Sequence, residues 1–254
     1  MENIVKYEKE GNLGKIILNK PDKHNSLDLL TVKKLIELFK LSAQNNDMCV
    51  IFTSEGKEFT VGDDLKYSYE LIKDVKKLPE AVEFIGSYQE LTRVILAHPG
   101  IIIAGIHGWA IGGGFEITLC CDLRIAATDT RIMLPELGVG LFFSNGSTKL
   151  LSIIIGQGRA KELMLLGKEI NADEAFRIGL VNEICKPEGL KRILMRTANS
   201  ILQKSPLGLK IAKKLINENY DKDIEAVLDN EQMAIITAGQ DEECKRRIEI
   251  FFKH

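Results

Sequence analysis

Apolar and polar residues alternate over positions 4–8, and a second short run, 15–18, follows the turn pair Gly11-Asn12. A period of two places one face on a core, so these runs predict a hairpin. The period then lengthens. Leu29, Leu30, Val32, Leu35, Ile36 and Phe39 recur at helical spacing, with Ser26 or Asp28 placed to cap them. Residues 49–52 (CVIF) and 101–106 (IIIAGI) are unbroken apolar runs, read as buried strands, with a helical segment over 81–97 between them. A short helix is predicted from about Phe115, after three glycines, and 123–127 reads as another strand.

Strands alternating with helices predict an α/β chain with a largely parallel sheet built from βαβ units. From about Asn145 the pattern turns helical, with segments at 158–166, 172–178, 190–203, 207–219 and 224–238. The chain divides on this reading into a mixed core, 1–195, and a helical C-terminal region, 196–254.

Composition narrows the function classes. The 254 residues carry a formal charge of −2, which offers no electrostatic footprint for nucleic acid or an anionic membrane. Five cysteines, mostly in apolar contexts and without a C-x-x-C pair, read as buried thiols in a reducing compartment. The four histidines show no H-x-x-x-H spacing, which argues against zinc. No apolar run reaches the length of a membrane span and no signal peptide is visible, so a cytoplasmic protein is expected. The glycine cluster 105–114 contains neither G-x-G-x-x-G in the strand-to-helix position nor a P-loop. Phe142 stands two residues before Ser144, which breaks G-x-S-x-G and argues against a serine hydrolase.

Two loops carry the candidate chemistry. In Ile106–Glu116 (IHGWAIGGGFE) an apolar strand runs into three glycines and then a helix. Glycines there let a ligand approach the backbone, and a helix start leaves N–H groups free for developing negative charge. Glu116 is expected on the first helical turn, facing the same mouth. The plainer alternative is a bend for close packing, with Glu116 only favouring the helix dipole. The second loop, Glu58-Phe59-Thr60-Val61-Gly62-Asp63-Asp64-Leu65, also presents N–H groups ahead of a helix. Loops after neighbouring parallel strands converge at the strands' carboxyl ends, and two N–H donors from separate loops make an oxyanion hole.

These pieces, in order, resemble the crotonase superfamily, the enoyl-CoA hydratase/isomerase family, over nearly the whole chain. Leu18-Asn19-Lys20-Pro21-Asp22-Lys23-His24-Asn25-Ser26-Leu27 resembles its N-R-P-x-x-x-N-A-L motif, and Phe59–Leu65 its F-x-x-G-x-D-[LI] loop. His107–Cys121 with Asp122 is similar to G-x-x-x-G-G-G-x-E and the following C-D, and 135–141 (PELGVGL) to P-E-x-x-x-G-[LI]. Gly158–Leu163, 172–181 and Ser205-Pro206 resemble its helical second half.

The resemblance implies a crotonase-like spiral of repeated ββα units with a helical C-terminal trimerisation region. The backbone N–H groups of Asp63 and Gly113 would form the oxyanion hole, and Lys23, His24, Val61, Asp64 and Leu65 would hold CoA. Glu116 would be the base on water and Glu136 the proton donor at the α-carbon of an enoyl-CoA. The implied substrate is an acyl-CoA, with no metal, nicotinamide or flavin, no nucleic acid or membrane partner, and a homotrimer or homohexamer as the assembly.

Two departures stand out. Asp63 carries a carboxylate where the family often has a small or apolar residue. Phe143-Ser144-Asn145-Gly146-Ser147-Thr148 replaces P-G-x-G-G-T, and is expected to narrow or polarise the acyl pocket. Double-bond isomerisation, thioester hydrolysis, decarboxylation and a non-catalytic binding or RNA-interaction member stand as alternatives to hydration.

Overall fold

The computed structural model describes residues 3–252. Strands β1 (Val5–Glu10) and β2 (Leu13–Leu18) form the hairpin. Then come α1 (Leu29–Gln44), β3 (Cys49–Ser54), α2 (Leu65–Ile72), α3 (Leu78–Leu96), β4 (Ile101–Ile106), β5 (Trp109–Ile111) and α4 (Gly112–Leu119). β6 (Leu123–Ala127), β7 (Arg131–Met133), α5 (Ser147–Ile155), α6 (Gln157–Leu166), β8 (Ile170–Asn171), α7 (Ala172–Arg177) and β9 (Glu183–Cys185) complete the mixed part. Four helices end the chain: α8 (Leu190–Leu202), α9 (Pro206–Asn219), α10 (Ile224–Gln240) and α11 (Glu242–Phe252).

The main sheet has the order β1-β2-β3-β4-β6-β9, and every pairing in it except β1 with β2 is parallel. A second sheet, β5-β7-β8, stands beside it. The short strands β5, β7, β8 and β9 escape the sequence reading because two or three residues carry no usable period. Of the two cap candidates, Asp28 caps α1, its carboxylate accepting from the Thr31 N–H at 2.9 Å. Phe39, Phe52 and Phe59 meet edge to face, with centroid separations of 5.7 and 5.4 Å, and join α1 to β3 and to the loop after it. The floor under the Asp63 loop is therefore packed core.

The Cys-Asp pair of the glycine-helix motif is structural. Asp122 accepts from the Ile102 N–H at 2.7 Å and from Lys213 Nζ at 2.8 Å, tying β4 to α9 through a charge pair set below the surface. Arg124, also buried, donates to the carbonyls of Leu180, Thr118 and Cys121. These bonds fix the end of α4, on which Glu116 stands. The division after residue 195 falls inside α8, whose Leu190, Ile193 and Leu194 pack on β3, β4 and β6. No helix among the described residues is long and apolar enough to cross a membrane.

Candidate active site

The two loops meet. Thr60 N–H donates to the Trp109 carbonyl and Ile111 N–H returns a bond to the Thr60 carbonyl, at 2.9 and 3.1 Å. Gly62 sits with φ of +79° so close to β5 that a Cβ there would stand 2.6 Å from the Ile111 carbonyl oxygen. Only glycine meets both demands.

The three glycines before Glu116 each have a separate neighbour. A Cβ at Gly112 would fall 2.7 Å from Glu136 Oε1, at Gly113 2.8 Å from Asp63 Oδ1, and at Gly114 2.2 Å from Thr60 Cγ2. The run is thus the seam on which the Asp63 loop and the Glu136 turn close over α4. α4 begins at Gly112 rather than at about Phe115, so the glycines are its first turn and Glu116 lies just beyond it. That corrects the expected helix start. Gly113 stands at the helix N-terminus, where the N–H has no partner within the helix. Asp63 N–H likewise donates to no backbone carbonyl in the loop contacts around it, while its neighbours Leu27 and Asp64 do.

Glu116 is almost fully buried. Its Oε2 accepts from Ser147 Oγ at 2.5 Å, from the Asn145 N–H at 3.1 Å and from the Ser144 N–H at 3.2 Å. All three donors belong to the start of α5 and the residues before it. The departure at 143–148 therefore forms the cradle of Glu116. Phe142 turns to solvent and Phe143 packs half-buried on the core, while the polar residues hold the carboxylate. Burial lifts the Glu116 carboxyl above the usual value, and Ser147, Asn145 and Ser144 pull it back.

Glu136 contrasts with it. It follows Pro135 in a short 3-10 turn, is buried, and its Oε2 meets no donor among the described residues. Burial, reinforced by the charges of Glu116 and Asp63, pushes its carboxyl up to about 7. A surface acid in a turn would show neither feature. Two buried carboxyls thus sit in unequal surroundings, Glu116 with three donors on one oxygen and Glu136 with an oxygen that meets none among the described residues.

Ser147→Ala removes the shortest of the donors to Glu116. The Glu116 carboxyl is expected to titrate about one pH unit or more higher in the variant, read by carboxyl NMR, since a hydrogen bond to a charged group is worth about 1.5–3 kcal/mol. A titration superimposable on wild type would show that Ser147 does not support the charge.

The family model for enoyl-CoA hydratase/isomerase matches residues 8–253. The chain belongs to the enoyl-CoA hydratase/isomerase family. A crotonyl-CoA hydratase of Syntrophomonas wolfei is 37% identical over 231 residues, 89% of this chain and 86% of that protein. A short-chain-enoyl-CoA hydratase of Clostridium acetobutylicum is 32% identical over 255 residues, 99% of this chain and 95% of its own length. The crystal structure of an enoyl-CoA hydratase from Bacillus anthracis superposes with a TM-score of 0.91 at 28% identity, covering 98% of this chain and 96% of that one. The α/β fold of this chain is that of the family's solved structures.

The five residues that the resemblance assigns to CoA lie on two segments that touch. Lys23 and His24 are exposed, His24 in the left-handed region with φ of 50°. The Val61 N–H donates to the His24 carbonyl at 3.1 Å, linking the two segments. Asp64 caps α2 through Lys66 and Tyr67 N–H, and Leu65 opens that helix with its side chain exposed. The asparagine of the N-terminal motif, Asn25, is buried and holds the loop from within, donating to the carbonyls of Glu55 and Glu58 at 2.8 and 2.9 Å.

The sequence reading missed Asn145 and Ser147 as partners of Glu116, and Tyr88, whose hydroxyl donates to Asp63 Oδ1 at 2.5 Å. The break in P-G-x-G-G-T was the signal for the first two. Tyr88 gave none, being one aromatic on the buried face of a regular helix.

Proposed function

We propose that the chain is an enoyl-CoA hydratase that adds water across the 2,3 double bond of a short enoyl-CoA. The observation that carries the reading is the unequal pair of buried glutamates, Glu116 with three donors on one oxygen and Glu136 with an unpaired oxygen. The thioester oxygen is received by the backbone N–H groups of Asp63 and Gly113. Negative charge grows on that oxygen as the β-carbon is attacked, and each donor aimed at it is typically worth about 3–4 kcal/mol of barrier.

Glu116, ionised, takes a proton from water as its oxygen bonds to the β-carbon. Glu136, protonated, gives its proton to the α-carbon as the enolate collapses. The proton gained by Glu116 and the one lost by Glu136 balance, so exchange with solvent resets the pair. Lys23, His24, Val61, Asp64 and Leu65 hold the CoA portion at the mouth. The names of the Syntrophomonas and Clostridium relatives support a short acyl chain.

Exposed apolar residues on the last helices, among them Ile216, Tyr220, Ile224, Leu228, Met233 and Ile235, support self-association as a homotrimer or homohexamer. A monomer mass by light scattering at micromolar concentration would remove that part of the reading.

Isomerisation is the competing chemistry, and isotope labelling separates the two. With crotonyl-CoA in ¹⁸O-labelled water, the 3-hydroxyacyl product is expected to carry one labelled oxygen. A 3-enoyl-CoA converted to its 2-enoyl isomer, without label and without hydration of crotonyl-CoA, would sink the hydratase reading.

A further inference from the structure

The oxyanion hole attracts anions, and the carboxyl nearest to it belongs to the protein. Burial lifts that carboxyl, of Asp63, above the usual carboxylate range, and the Tyr88 hydrogen bond draws it back toward the ionised form. Asp63 offers its own N–H to the hole while its carboxyl lies against Gly113, on the face where a side chain at 113 would stand. No salt bridge among the described residues engages Asp63, Glu116 or Glu136. Three carboxyls therefore share a site in which a further negative charge must form. Left to itself, an ionised Asp63 carboxylate would either oppose that charge or compete for the N–H groups that should receive it.

What restrains it is visible. Tyr88, on the buried face of α3, is completely enclosed, with Phe84 beside it at a ring-centroid distance of 5.3 Å. Its hydroxyl is the one donor that Asp63 meets among the described residues, at 2.5 Å, and both groups lie on the side-chain face of Gly113. A phenol fixed by packing is a better tether than a mobile side chain, because its position costs no reorganisation when the ligand arrives. Burial holds the tyrosine proton on the phenol, so Tyr88 acts as donor and Asp63 as acceptor.

We propose that Tyr88 is a positioning residue for the oxyanion hole, its hydroxyl pinning the Asp63 carboxyl against Gly113 so that the hole stays open to the thioester oxygen. The inference rests on the oxyanion-hole reading above and adds to it a device that this chain requires because it carries Asp63. Tyr88 touches neither substrate nor reacting atoms; it acts through Asp63.

The test reads the hole directly. A 3-ketoacyl-CoA, such as acetoacetyl-CoA, enolises, and its enolate absorbs where the keto form does not. Bound enolate is measured for wild type, Tyr88→Phe and the double variant Tyr88→Phe/Asp63→Ala, together with crotonyl-CoA kinetics. Tyr88→Phe is expected to lower the bound enolate fraction and kcat about tenfold or more. Removing the carboxyl in the Tyr88→Phe background is expected to recover most of that loss. A packing defect would not be rescued by a second deletion at the site.

Enolate formation by Tyr88→Phe equal to wild type, or a double variant no better than Tyr88→Phe while both fold with wild-type circular dichroism, would overturn the role of Tyr88 alone. Wild type that binds the ligand without forming enolate would overturn the oxyanion hole itself, and with it this inference.

Discussion

Glu136→Gln is expected to lower kcat for crotonyl-CoA hydration about 10²–10⁴-fold with little change in the affinity for CoA thioesters. Glutamine preserves the shape of the side chain in its turn but has no proton of suitable acidity to give the α-carbon. On the proposed mechanism the same carboxyl is expected to set the alkaline limb of the wild-type profile. It must be protonated to act, and burial pushes its carboxyl up to about 7, so kcat/KM is expected to fall as pH rises through that value. Glu116 must be ionised, and its pKa is raised from 4.5, so activity also falls as pH drops through a point above 4.5. The result is a bell whose alkaline side is lost in Glu136→Gln. A variant retaining more than a tenth of wild-type kcat would remove Glu136 from the chemistry.

Glu116→Ala is expected to have an effect at least as large on hydration. It deletes the proposed base and also strands the donors of Ser144, Asn145 and Ser147, which converge on Oε2. The variant also separates reaction types. Hydration collapses, while proton transfer between the α- and γ-carbons through Glu136 alone can persist, and CoA binding at the mouth remains. Hydration surviving in Glu116→Ala would mean that water is activated elsewhere.

Much of the fold was legible because it rests on local signals. The hairpin, α1, β3, β4 and β6 follow from periodicity and unbroken apolar runs, and the family resemblance orders the loops between them. The second sheet was not legible, since strands as short as β8 hold too few residues to show a period. α11 also went unread, because its apolar residues lie close to the chain end without a buried face to organise them. Glu136 was placed by resemblance, and its burial is what distinguishes it from an acid in a surface turn.

The segment 143–148 was legible as a departure but not as to its effect. Phenylalanine and serine in place of proline and glycine suggested a narrower or more polar pocket, and the polar residues are the ones that reach Glu116. Ser147 reaches Glu116, and Asn145 links that carboxylate to the Gly113 carbonyl at 3.3 Å. Tyr88 and Asp63 are 25 residues apart in sequence, and their contact follows only from how α3 packs behind the loop. Helical spacing marks Tyr88 as buried and says nothing about where its hydroxyl ends.

The most direct test of the central claim is to mix the wild-type protein with crotonyl-CoA and follow the conjugated-enoyl absorbance. Rapid, enzyme-dependent loss to an equilibrium with 3-hydroxybutyryl-CoA is the expected result. No loss across the pH range between the two limbs, with CoA thioester binding intact, would contradict hydration by Glu116 and Glu136.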